Sequence, residues 1–563
     1  MRTLALALLT ASVAASARSG EVKPEPCHLS HLEDGVMAIV HYGLNTYCDR
    51  EWGYGDTSPS LFNPQKLDTD QWVDAMVAGG VRRVVMVAKH HDGFNLWPSK
   101  LNPGYTIADT PWKGGKGDLL KEVRDSCRRR GVAFGVYLSP WDRHQPEYAR
   151  PAYVDYYHAQ WDEILANYGP LCEIWLDGAC GGDGWYGGAK ERRAIPGTPW
   201  DYYRIPALIK KLHAAYPGAI VFGGEGPHSA VWVGNEAGVA PDSVWYATTR
   251  GFWETPECDT PLRRGWFWHC NESPKSLFYL VECYFASVGH GCVMNLGIAP
   301  NRDGLVGEDD VRRLKEFGDW MRAFNAVDFA ADAKTERTDR SVTLRLVRPA
   351  KVNCLDAMEE IAEGQRITGW TFEAKVGDSW KTLAEGAAMG YRRLARFATV
   401  ESAEFRLTVT AAKPGAKVGR VALRFAAPVA RADDERSEPA PLWGSEVLSI
   451  REGTPANEMV FDFVNLSRVS AFRFRPESNN GVLIDHWELL TSADGKSWTK
   501  VEEGEFGNIK ANPVPQWVYL KKPVRVRHLK IVGVHAIDAE PVWNRAAGGM
   551  LDLFDGFESA RPK

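Results

Sequence analysis

Residues 84–91 read VVMVAKHH, a short apolar run that ends in a lysine and two histidines. A helical pattern precedes this run, with Asp68 placed to cap its first turn and Gly79 at its end. A second helical pattern follows it, from Asp118 to Gly131. A short apolar run between two amphipathic helices is typical of a buried strand in a βα unit. The segment therefore predicts a parallel sheet that is covered by helices.

The same alternation of strands and helices extends over the front half of the chain. Further apolar runs that end in polar or small residues are GVMAIVHYG (35–43), VAFGVYLS (132–139), CEIWLDG (172–178) and AIVFGG (219–224). A closed (β/α)8 TIM-like barrel fits this length better than an open sheet, because no GxGxxG dinucleotide-binding turn joins a predicted strand directly to a predicted helix. We predict this α/β barrel over residues 20–334.

At about residue 335 the pattern changes to an alternation of polar and apolar residues with a period of two, as in SVTLRLV and AEFRLTV. A stretch rich in proline, alanine and charge predicts a linker at 429–441. The β segments on its two sides share a motif, G-x-S-W-x-x-[Leu/Val]-x-E-G, in GWTFEAKVGDSWKTLAEG (369–386) and HWELLTSADGKSWTKVEEG (486–504). The fold class is therefore α/β plus all-β: a barrel followed by two related β-sandwich domains, at 335–428 and 442–563.

The net charge bears on which partners the protein can bind, and the N-terminal residues bear on its cellular compartment. Lys+Arg 67 against Asp+Glu 72 gives a net charge of −5, so no basic field predicts a nucleic-acid partner. Arg2 precedes an apolar run at 4–17, which is typical of a signal peptide (1–19) cleaved near residues 17–20. That run is too short to span a bilayer, and no later run reaches 18 apolar residues, so no membrane span is expected. We predict an exported protein, periplasmic or secreted.

The cysteines and the tryptophans leave two questions open. None of the ten cysteines forms a CxxC pair with histidines at zinc spacing, so no structural metal is predicted. Export permits disulfides, but Cys172 and Cys292 lie in apolar runs that favour free buried thiols. Tryptophan, at 22, is as frequent as phenylalanine, and these rings suit either core packing or platforms for sugars.

Polar and aromatic residues gather where the front-half strands end, which is where a barrel carries its active site. They are His41, His90, His91, Tyr137, Trp175, Asp177, Trp232 and Glu236. Adjacent strand residues point to opposite faces, so His90 and His91 are not expected to ligate one ion; one should face the mouth and the other support it. Two carboxylates among aromatic residues are typical of a glycoside hydrolase, in which one attacks the anomeric carbon and the other protonates the leaving oxygen.

Seven motifs together resemble glycoside hydrolase family 29, the α-L-fucosidases. They are HYGLNT with EWGYGD downstream, AKHHDGFNLWPS, GVYLSPWDRH, IWLDGACG, WVGNEAG, ECDTPLRRGWFWH and MNLGIAPNRDG, in family order across about residues 36–305. The resemblance implies a retaining mechanism with Asp177 as nucleophile and Glu236 as acid/base. It implies that the fucose ring is bound by His41, Glu51, Trp52, His90, His91, Tyr137, Trp175 and Arg263. Glu257 and Asp259 are implied to contact the neighbouring sugars. The position of Trp232 predicts that its ring forms an apolar wall of the site.

The chain departs from the family pattern at two places. Residues 181–200 are an additional Gly-rich loop beside the site, which bears on recognition of the leaving group. The segment before VGNE reads GGEGPHSAVW, which makes Glu225 a competitor of Glu236 as the acid. The phrases SPWDR and VGNE are similar to the subfamily that acts on α-1,3- and α-1,4-linked fucose.

The end of the chain, about 442–556, resembles the coagulation factor 5/8 type C (discoidin-like) module, common as a carbohydrate-binding domain. The opening strands that carry calcium ligands in many relatives are not evident, so calcium there stays an open alternative; no other cofactor is expected. Trp487, Trp498, Trp517 and Trp543 are candidate sugar platforms, although Trp487 and Trp498 recur in the internal repeat and fit a core role.

The resemblance implies an exo-α-L-fucosidase whose partners are fucosylated glycans such as Lewis-type or blood-group oligosaccharides. Two alternatives stay open from the sequence. One is a catalytically inactive glycan-binding protein that uses the β domains. The other is a retaining hydrolase of a related deoxy sugar or a galactoside.

Overall fold

The computed structural model describes residues 22–224, 226–270, 272–430, 442, 447–452, 456–476, 483–507, 509, 515–537, 541, 543 and 550–555. The predicted signal peptide, residues 431–441 of the predicted linker and Glu225 lie outside the described residues.

Eight parallel strands close into a barrel, as the βα alternation predicts. The first ten strands are β1 (Val36–Val40), β2 (Arg83–Lys89), β3 (Ala133–Leu138), β4 (Glu173–Trp175), β5 (Gly181–Gly184), β6 (Glu191–Ala194), β7 (Ile220–Phe222), β8 (Ser229–Trp232), β9 (Glu254–Pro261) and β10 (Val293–Ile298). All except β5 and β6 belong to the barrel, in the order β1-β10-β9-β8-β7-β4-β3-β2. Because all eight run in parallel, their C-terminal ends meet at one mouth.

Nine α-helices of the described chain accompany these strands. They are α1 (Pro26–Asp34), α2 (Leu44–Cys48), α3 (Thr69–Ala78), α4 (Leu119–Arg129), α5 (Pro151–Asn167), α6 (Pro199–Tyr202), α7 (Ile205–Ala215), α8 (Leu277–Ala286) and α9 (Glu308–Ala326). The predicted caps are confirmed, since the Asp68 and Asp118 side chains accept from the first backbone N–H groups of α3 and α4. Among the described residues no helix joins β7 to β8 or β8 to β9, so the chain between them forms irregular loops at the mouth.

The sequence predicts a Gly-rich loop at 181–200, whereas the structure forms a two-stranded antiparallel hairpin there, from β5 and β6. Two contacts fix this hairpin against the mouth. The Arg143 guanidinium donates to Asp183 O at 2.6 Å, and the Trp141 indole donates to the hydroxyl of Tyr186 at 2.9 Å. These long-range contacts order a segment whose composition alone favours irregular turns.

Two all-β modules follow the barrel, each an antiparallel sheet around its own hydrophobic core. The first β module contains β11 (Lys334–Arg337), β12 (Ser341–Glu359), β13 (Ile367–Val376), β14 (Ser379–Gly386), β15 (Arg393–Ala412) and β16 (Val418–Arg424). The last β module contains β17 (Val447–Glu452), β18 (Glu458–Arg475), β19 (Leu483–Ser492), β20 (Thr499–Glu505), β21 (Gln516–Ile537) and β22 (Met550–Phe554).

The two modules share one topology. Strand order is β11-β12-β15-β13-β14 with β16 on β12, and β17-β18-β21-β19-β20 with β22 on β18. The shared motif falls on equivalent hairpins, and in both the closing glycine lies against a buried tryptophan: a Cβ on Gly386 would be 2.7 Å from Trp370, and one on Gly504 would be 2.6 Å from Trp487. Equal strand order and equal packing support the duplication that the sequence indicates.

The candidate platform tryptophans of the last module divide by burial. Trp487 and Trp543 are 4% and 1% exposed and belong to the module core, so they cannot present a face to a ligand. Trp498 is partly exposed, and the Lys530 ammonium lies 4.7 Å from its ring centroid. Trp517 is partly exposed as well and faces the barrel.

Two whole-chain predictions can be compared with the described residues. No helix among them is long and apolar enough to cross a membrane. All ten cysteines lie in the described part of the chain, and none of them is in a disulfide.

Ion pairs join the last β module to the barrel through His486. Its Nε2 lies 3.6 Å from Asp183 of the hairpin and 3.5 Å from Glu505, and its Nδ1 lies 3.3 Å from Asp485. The ring of His535 packs edge-on at 5.6 Å. Burial lowers the pKa of His486, but the carboxylate contacts outweigh burial and raise it to about 10.

A pH dependence of stability follows from this contact. The pKa of His486 in the folded protein lies above its unfolded value of about 6.5. The charged ring therefore stabilises the folded state fully below about pH 6.5, and this stabilisation is lost as the pH rises toward the folded pKa. We expect the melting temperature to fall more between pH 6.5 and 10 in the wild type than in His486→Gln. The matched control is His213→Gln, because burial lowers the pKa of His213 and it is already neutral in this range. Equal slopes for the wild type and His486→Gln in scanning calorimetry would contradict this prediction.

Candidate active site

Asp177 lies two residues beyond β4, at the mouth of the barrel. The phenol of Tyr137, on the neighbouring strand, donates a hydrogen bond of 2.8 Å to Asp177 Oδ2. The backbone N–H of Ala179 donates one of 2.7 Å to Oδ1. Burial, together with the adjacent carboxylate, raises the pKa of Tyr137 well above its usual value, so the phenol keeps its proton and remains a donor. Both oxygens are oriented while 24% of the side chain stays exposed.

Three histidines surround this carboxylate. Burial lowers the pKa of His41 to about 3 and of His91 to about 4, and it lowers that of His90 well below its usual value. They are therefore neutral above about pH 5 and can accept as well as donate hydrogen bonds. Asp177 is therefore placed among neutral polar groups.

The hydrogen bonds of His91 identify its tautomer. The hydroxyl of Ser139 donates to Trp141 O at 2.7 Å, and its oxygen lies 2.7 Å from His91 Nδ1. Ser139 therefore accepts from Nδ1–H, which leaves the lone pair of Nε2 on the side of Asp177, 3.9 Å from Oδ2. A ligand hydroxyl at the mouth could donate to this nitrogen.

The prediction that His90 and His91 point to opposite faces is wrong. Strand β2 ends at Lys89, so the alternation does not extend to the two histidines. Their ring centroids lie 4.1 Å apart, and His90 also stacks near Tyr137 at 5.9 Å. Lys89 takes the opposite direction, with its Nζ 3.0 Å from Asp142 in the barrel wall. Both histidines thus line the mouth.

Tryptophan rings form the apolar walls beside these polar groups. Trp52 packs edge-on against His91 at 5.2 Å between centroids. Trp175 stacks on Phe222 at 3.9 Å and contacts Tyr137 at 5.2 Å. The mouth therefore combines flat apolar faces with hydrogen-bonding groups, as a ligand with both kinds of surface requires.

Glu236 lies in the irregular loop between β8 and β9. It is 9% exposed, and the indole N–H of Trp266 donates to its Oε2 at 3.0 Å. The preceding turn is fixed because Asn235 Oδ1 accepts from the backbone N–H of Ala237 at 3.1 Å. Trp232 is 37% exposed and donates its indole N–H to Asn235 O at 3.1 Å, so it supports the turn from outside.

The carboxylate of Glu51 joins two loops of the mouth. Its oxygens accept from the backbone N–H groups of Trp266 (2.8 Å) and Phe267 (3.1 Å), and His269 Nε2 lies 2.7 Å away. Although burial lowers it, contacts with Asp49 and Glu51 raise the pKa of His269 well above its usual value, so His269 is a cation. Glu51 is thus held by the protein and fixes the segment that carries Trp266.

The structure does not bring Glu257 or Arg263 to the mouth, which corrects their predicted contacts with sugars. Glu257 is fully buried in the middle of β9, with its Oε1 3.4 Å from His31 Nε2. Arg263 bonds Asp310 at 2.9 Å and Glu272 O at 2.5 Å. Inward-facing residues of a barrel strand occupy different depths, and only those near its C-terminal end reach the mouth.

Asp259 lies one inward position above Glu257 and is 3% exposed. It accepts from Asn295 Nδ2 at 3.1 Å. Burial, and then the nearby charge of Glu236, raises its pKa well above its usual value. It is a buried group beneath the two candidate carboxylates, not a residue that faces neighbouring sugars.

Sequence reasoning missed three residues of the site. Trp266 and His269 lie in the run RRGWFWH, which the family resemblance quotes and which directly follows β9. Arg143 follows β3 as the other candidates follow their strands, and its Nη1 donates to Trp52 O at 3.0 Å and to Gly53 O at 3.2 Å. Position after a strand end was the signal available for all three.

Two groups within the described residues could hold a metal ion by the closeness of their ligand atoms. One is His31, Glu173 and Glu257 in the barrel interior, where the Arg83 guanidinium lies 3.4 Å from Glu173 and disfavours a second cation. The other is Asp485, His486 and His535 of the last β module. Neither group contains Asp177 or Glu236.

The arrangement supports displacement at a carbon that is flanked by two carboxyl groups. Asp177 is oriented by two donors, and Glu236 has one oxygen fixed by Trp266.

Loss of the hydrogen bond between the Trp266 indole and Glu236 should lower the rate, because a hydrogen bond to a carboxylate contributes about 1.5–3 kcal/mol. We expect Trp266→Phe to lower kcat by about ten-fold or more, with an unchanged melting temperature. Steady-state rates test this, with Trp320→Phe, on the remote helix α9, as the control; rates equal to wild type would contradict the role given to Trp266.

The chain is similar to known proteins in sequence and in structure. The alpha-L-fucosidase family model matches residues 27–326 of this chain. Alpha-L-fucosidase 1 of Arabidopsis thaliana is 32% identical over 459 residues, which cover 70% of this chain and 88% of that protein.

Solved structures extend the similarity beyond the barrel. The glycoside hydrolase 29 family member from an unknown rumen bacterium superposes with a TM-score of 0.71 at 32% identity, over 95% of this chain and 99% of that one. A family 29 fucosidase of Ruminococcus gnavus, solved in complex with fucose, superposes with a TM-score of 0.64 at 26% identity, over 73% of this chain and 97% of that one. The rumen structure therefore matches both β modules as well as the barrel.

Proposed function

The chain belongs to the α-L-fucosidase family, glycoside hydrolase family 29, and is an α-L-fucosidase; from this premise we propose that it releases terminal α-1,3- or α-1,4-linked fucose with retention of configuration. Asp177 is the nucleophile and Glu236 the acid/base. The observation that carries the proposal is the pair of hydrogen bonds from Tyr137 and Ala179, which orient a partly exposed carboxyl group at the mouth.

The first step forms a bond between Asp177 and the anomeric carbon of fucose while the glycosidic C–O bond breaks. Glu236 gives its proton to the departing oxygen, which leaves as a hydroxyl of the shortened glycan. In the second step Glu236, now a carboxylate, takes a proton from water, and that water displaces Asp177. Two inversions at one carbon give net retention.

Recognition of the sugar follows from the lining of the mouth. Fucose is a 6-deoxy sugar, so it offers one methyl group and three hydroxyls. Neutral His41, His90 and His91 supply hydrogen bonds at the pH of the reaction, and the tryptophans supply apolar faces for the methyl group and the ring. The histidines are neutral above about pH 5. They therefore place no positive charge beside the positive charge that develops at the anomeric carbon in the transition state.

Proton NMR of the first-formed fucose tests the stereochemistry before mutarotation mixes the anomers. We expect the α anomer first from a fucosylated trisaccharide, and faster release from α-1,3 and α-1,4 linkages than from α-1,2 and α-1,6. The β anomer first would contradict retention. Equal rates on all four linkages would contradict the linkage proposal only, and 4-nitrophenyl β-D-galactoside serves as the control sugar.

Two further features belong to this proposal. The apolar run at 4–17, outside the described residues, supports export with cleavage near residues 17–20. The SPWDR and VGNE motifs support assignment to the subfamily that acts on α-1,3- and α-1,4-linked fucose, and the resemblance of residues 442–556 supports a discoidin-like module at the end of the chain. Fractionation of cells with N-terminal sequencing of the mature protein tests the first; an intact N-terminus in the cytoplasm would contradict export.

A further inference from the structure

A cavity of about 1130 Å³ has Glu236, but not Asp177, among the side chains that line it. The barrel provides one side of it, which includes Trp52 and Trp266. The last β module provides the opposite side, which includes Trp517 and Tyr519. A general acid faces the leaving group, so space that begins at Glu236 is where the shortened glycan must lie. The volume slightly exceeds the range of about 300–1,000 Å³ for small-ligand sites, which suits more than one sugar ring.

The last β module touches the catalytic loops directly. A Cβ on Gly507 would lie 3.2 Å from Glu51 Cβ and 3.3 Å from Trp52 Cγ, so the backbone of this module packs on the loop that carries both side chains. Trp52 in turn packs on His91 beside the nucleophile.

Arg143 extends this contact into a chain of ionic hydrogen bonds. Its Nη2 donates to Glu505 of the last module at 3.3 Å, while Nη1 donates to Trp52 O and Gly53 O. Burial raises the pKa of Glu505, but His486 and Arg143 outweigh burial and lower it to about 2. Glu505 is therefore an anion that fixes the 52–53 loop through Arg143.

The last module also faces the opposite loop of the mouth. The Arg264 guanidinium lies 5.5 Å from the centroid of Trp517, and Arg264 directly precedes the segment whose backbone binds Glu51. Trp517 and Tyr519 lie nearly parallel, at 14° and 5.9 Å between centroids. They form an aromatic strip across the cavity from Trp52, and such strips suit the apolar faces of sugar rings.

The charges of the cavity indicate which glycans fit. The cavity is lined by ten side chains of aspartate or glutamate and by four of arginine or lysine. The carboxylates remain in excess even with His269 and His486 counted as cations. In a partly enclosed space such an excess disfavours anionic sugars by repulsion that salt screens only in part.

We propose that the last β module is one wall of the leaving-group site, and that this site takes neutral oligosaccharides in preference to sulfated or sialylated ones. This proposal rests on the fucosidase function above. It gives the module a role inside the catalytic cleft, in place of an independent sugar-binding role on exposed tryptophans. Trp517 and Tyr519 then determine specificity for the shortened glycan.

The first test uses the full chain and two substrates. One is 4-nitrophenyl α-L-fucoside, whose leaving group is a single small ring, and the other is a neutral trisaccharide with α-1,3- or α-1,4-linked fucose. We expect Trp517→Ala to lower kcat/KM on the trisaccharide by about five- to ten-fold, mainly through KM, and to change the nitrophenyl rate less than two-fold. Trp498→Ala is the matched control, a partly exposed tryptophan of the same module under a lysine and outside the cavity.

The outcomes separate the two proposals. Failure of the wild type to hydrolyse either substrate would overturn the fucosidase function itself. A folded Trp517→Ala that hydrolyses both substrates as the wild type does, or loses both equally, would overturn the wall proposal alone. If Trp517→Ala fails to fold, Tyr519→Phe and Tyr519→Leu repeat the comparison, and equal trisaccharide rates for Tyr519→Leu and wild type would overturn it.

A charge variant tests the preference for neutral glycans without changing the core. Glu503 is exposed and lines the cavity, and Glu385 occupies the same motif position in the first β module. We expect Glu503→Gln to raise the ratio of kcat/KM for a sialylated substrate to that for its neutral counterpart by about two- to three-fold at low salt, and Glu385→Gln to leave it unchanged. A wild type that favours the sialylated substrate, or no difference between the two variants, would overturn the charge preference.

Discussion

Asp177→Ala should lower kcat on every fucoside by about 10⁴-fold or more, because the first bond to the anomeric carbon can no longer form. The loss should be as large for 4-nitrophenyl fucoside as for a natural linkage, since a good leaving group does not replace the nucleophile. Tyr137 and Ala179 would lose their acceptor, but each can turn to water at the mouth, so the melting temperature should change little. Stopped rate assays with calorimetry on the same preparation measure both quantities.

The matched control for this variant is Asp155→Asn. Asp155 lies on α5, its side chain is 77% exposed, and it pairs with Arg204 on the outside of the barrel. Its variant should keep wild-type rates, because surface ion pairs contribute about 1 kcal/mol or less and this one is remote from the mouth. Substantial turnover by folded Asp177→Ala would exclude Asp177 as the nucleophile.

The loss of rate in Glu236→Ala should depend on the leaving group, and this dependence distinguishes a general acid from a nucleophile. On an oligosaccharide, whose leaving hydroxyl needs a proton, we expect kcat to fall by about 10²- to 10⁴-fold. On 4-nitrophenyl fucoside the first step needs little assistance, so the fucosyl intermediate should accumulate and the second step should limit the rate. A burst of nitrophenol followed by slow turnover is the expected time course.

Azide provides the second half of this test. It needs no base to attack the fucosyl intermediate, so it should restore the rate of Glu236→Ala and yield the α-linked fucosyl azide, which retains the configuration. Glu225→Ala is the comparison, because Glu225 is the competing acid and lies outside the described residues. Rescue of Glu225→Ala with full activity of Glu236→Ala would transfer the acid/base role to Glu225.

The barrel and the position of the two candidate carboxyl groups could be predicted because both follow from local pattern. Apolar runs between capped helices define βα units, and parallel strands bring their C-terminal ends to one mouth. Asp177 and Glu236 could therefore be proposed from their positions after strands. The duplication of the β modules was likewise visible, because Trp370 and Trp487 each need a glycine opposite them and the motif preserves both.

The depth of a side chain within the barrel could not be predicted from the sequence. Glu257 and Asp259 share the inward face of β9, and spacing alone does not tell which of them reaches the mouth. The same holds where a strand ends: β2 stops at Lys89, one residue before His90, and this single boundary determines that both histidines line the site. Boundaries depend on tertiary packing, which local pattern does not contain.

Contacts between distant segments were also beyond the sequence. Arg143 bonds Glu505, which is 362 residues further along the chain, and no periodicity relates the two. The hairpin of β5 and β6, which Arg143 and Trp141 hold, and the packing of Gly507 on Trp52 are likewise contacts between segments far apart in the chain. The contacts of Glu505 and Gly507 bring the last β module against the mouth.

The central claim is that Asp177 forms a covalent bond to fucose, and mass spectrometry tests it most directly. A fucosyl fluoride with fluorine at C2 destabilises the cationic transition states of both steps, while its fluoride leaving group keeps the first step fast, so the intermediate accumulates. We expect one fucosyl group per chain, on the peptide that contains Asp177, with release of the label when an acceptor sugar is added. A label on Glu236, or no adduct together with inverted product, would contradict it.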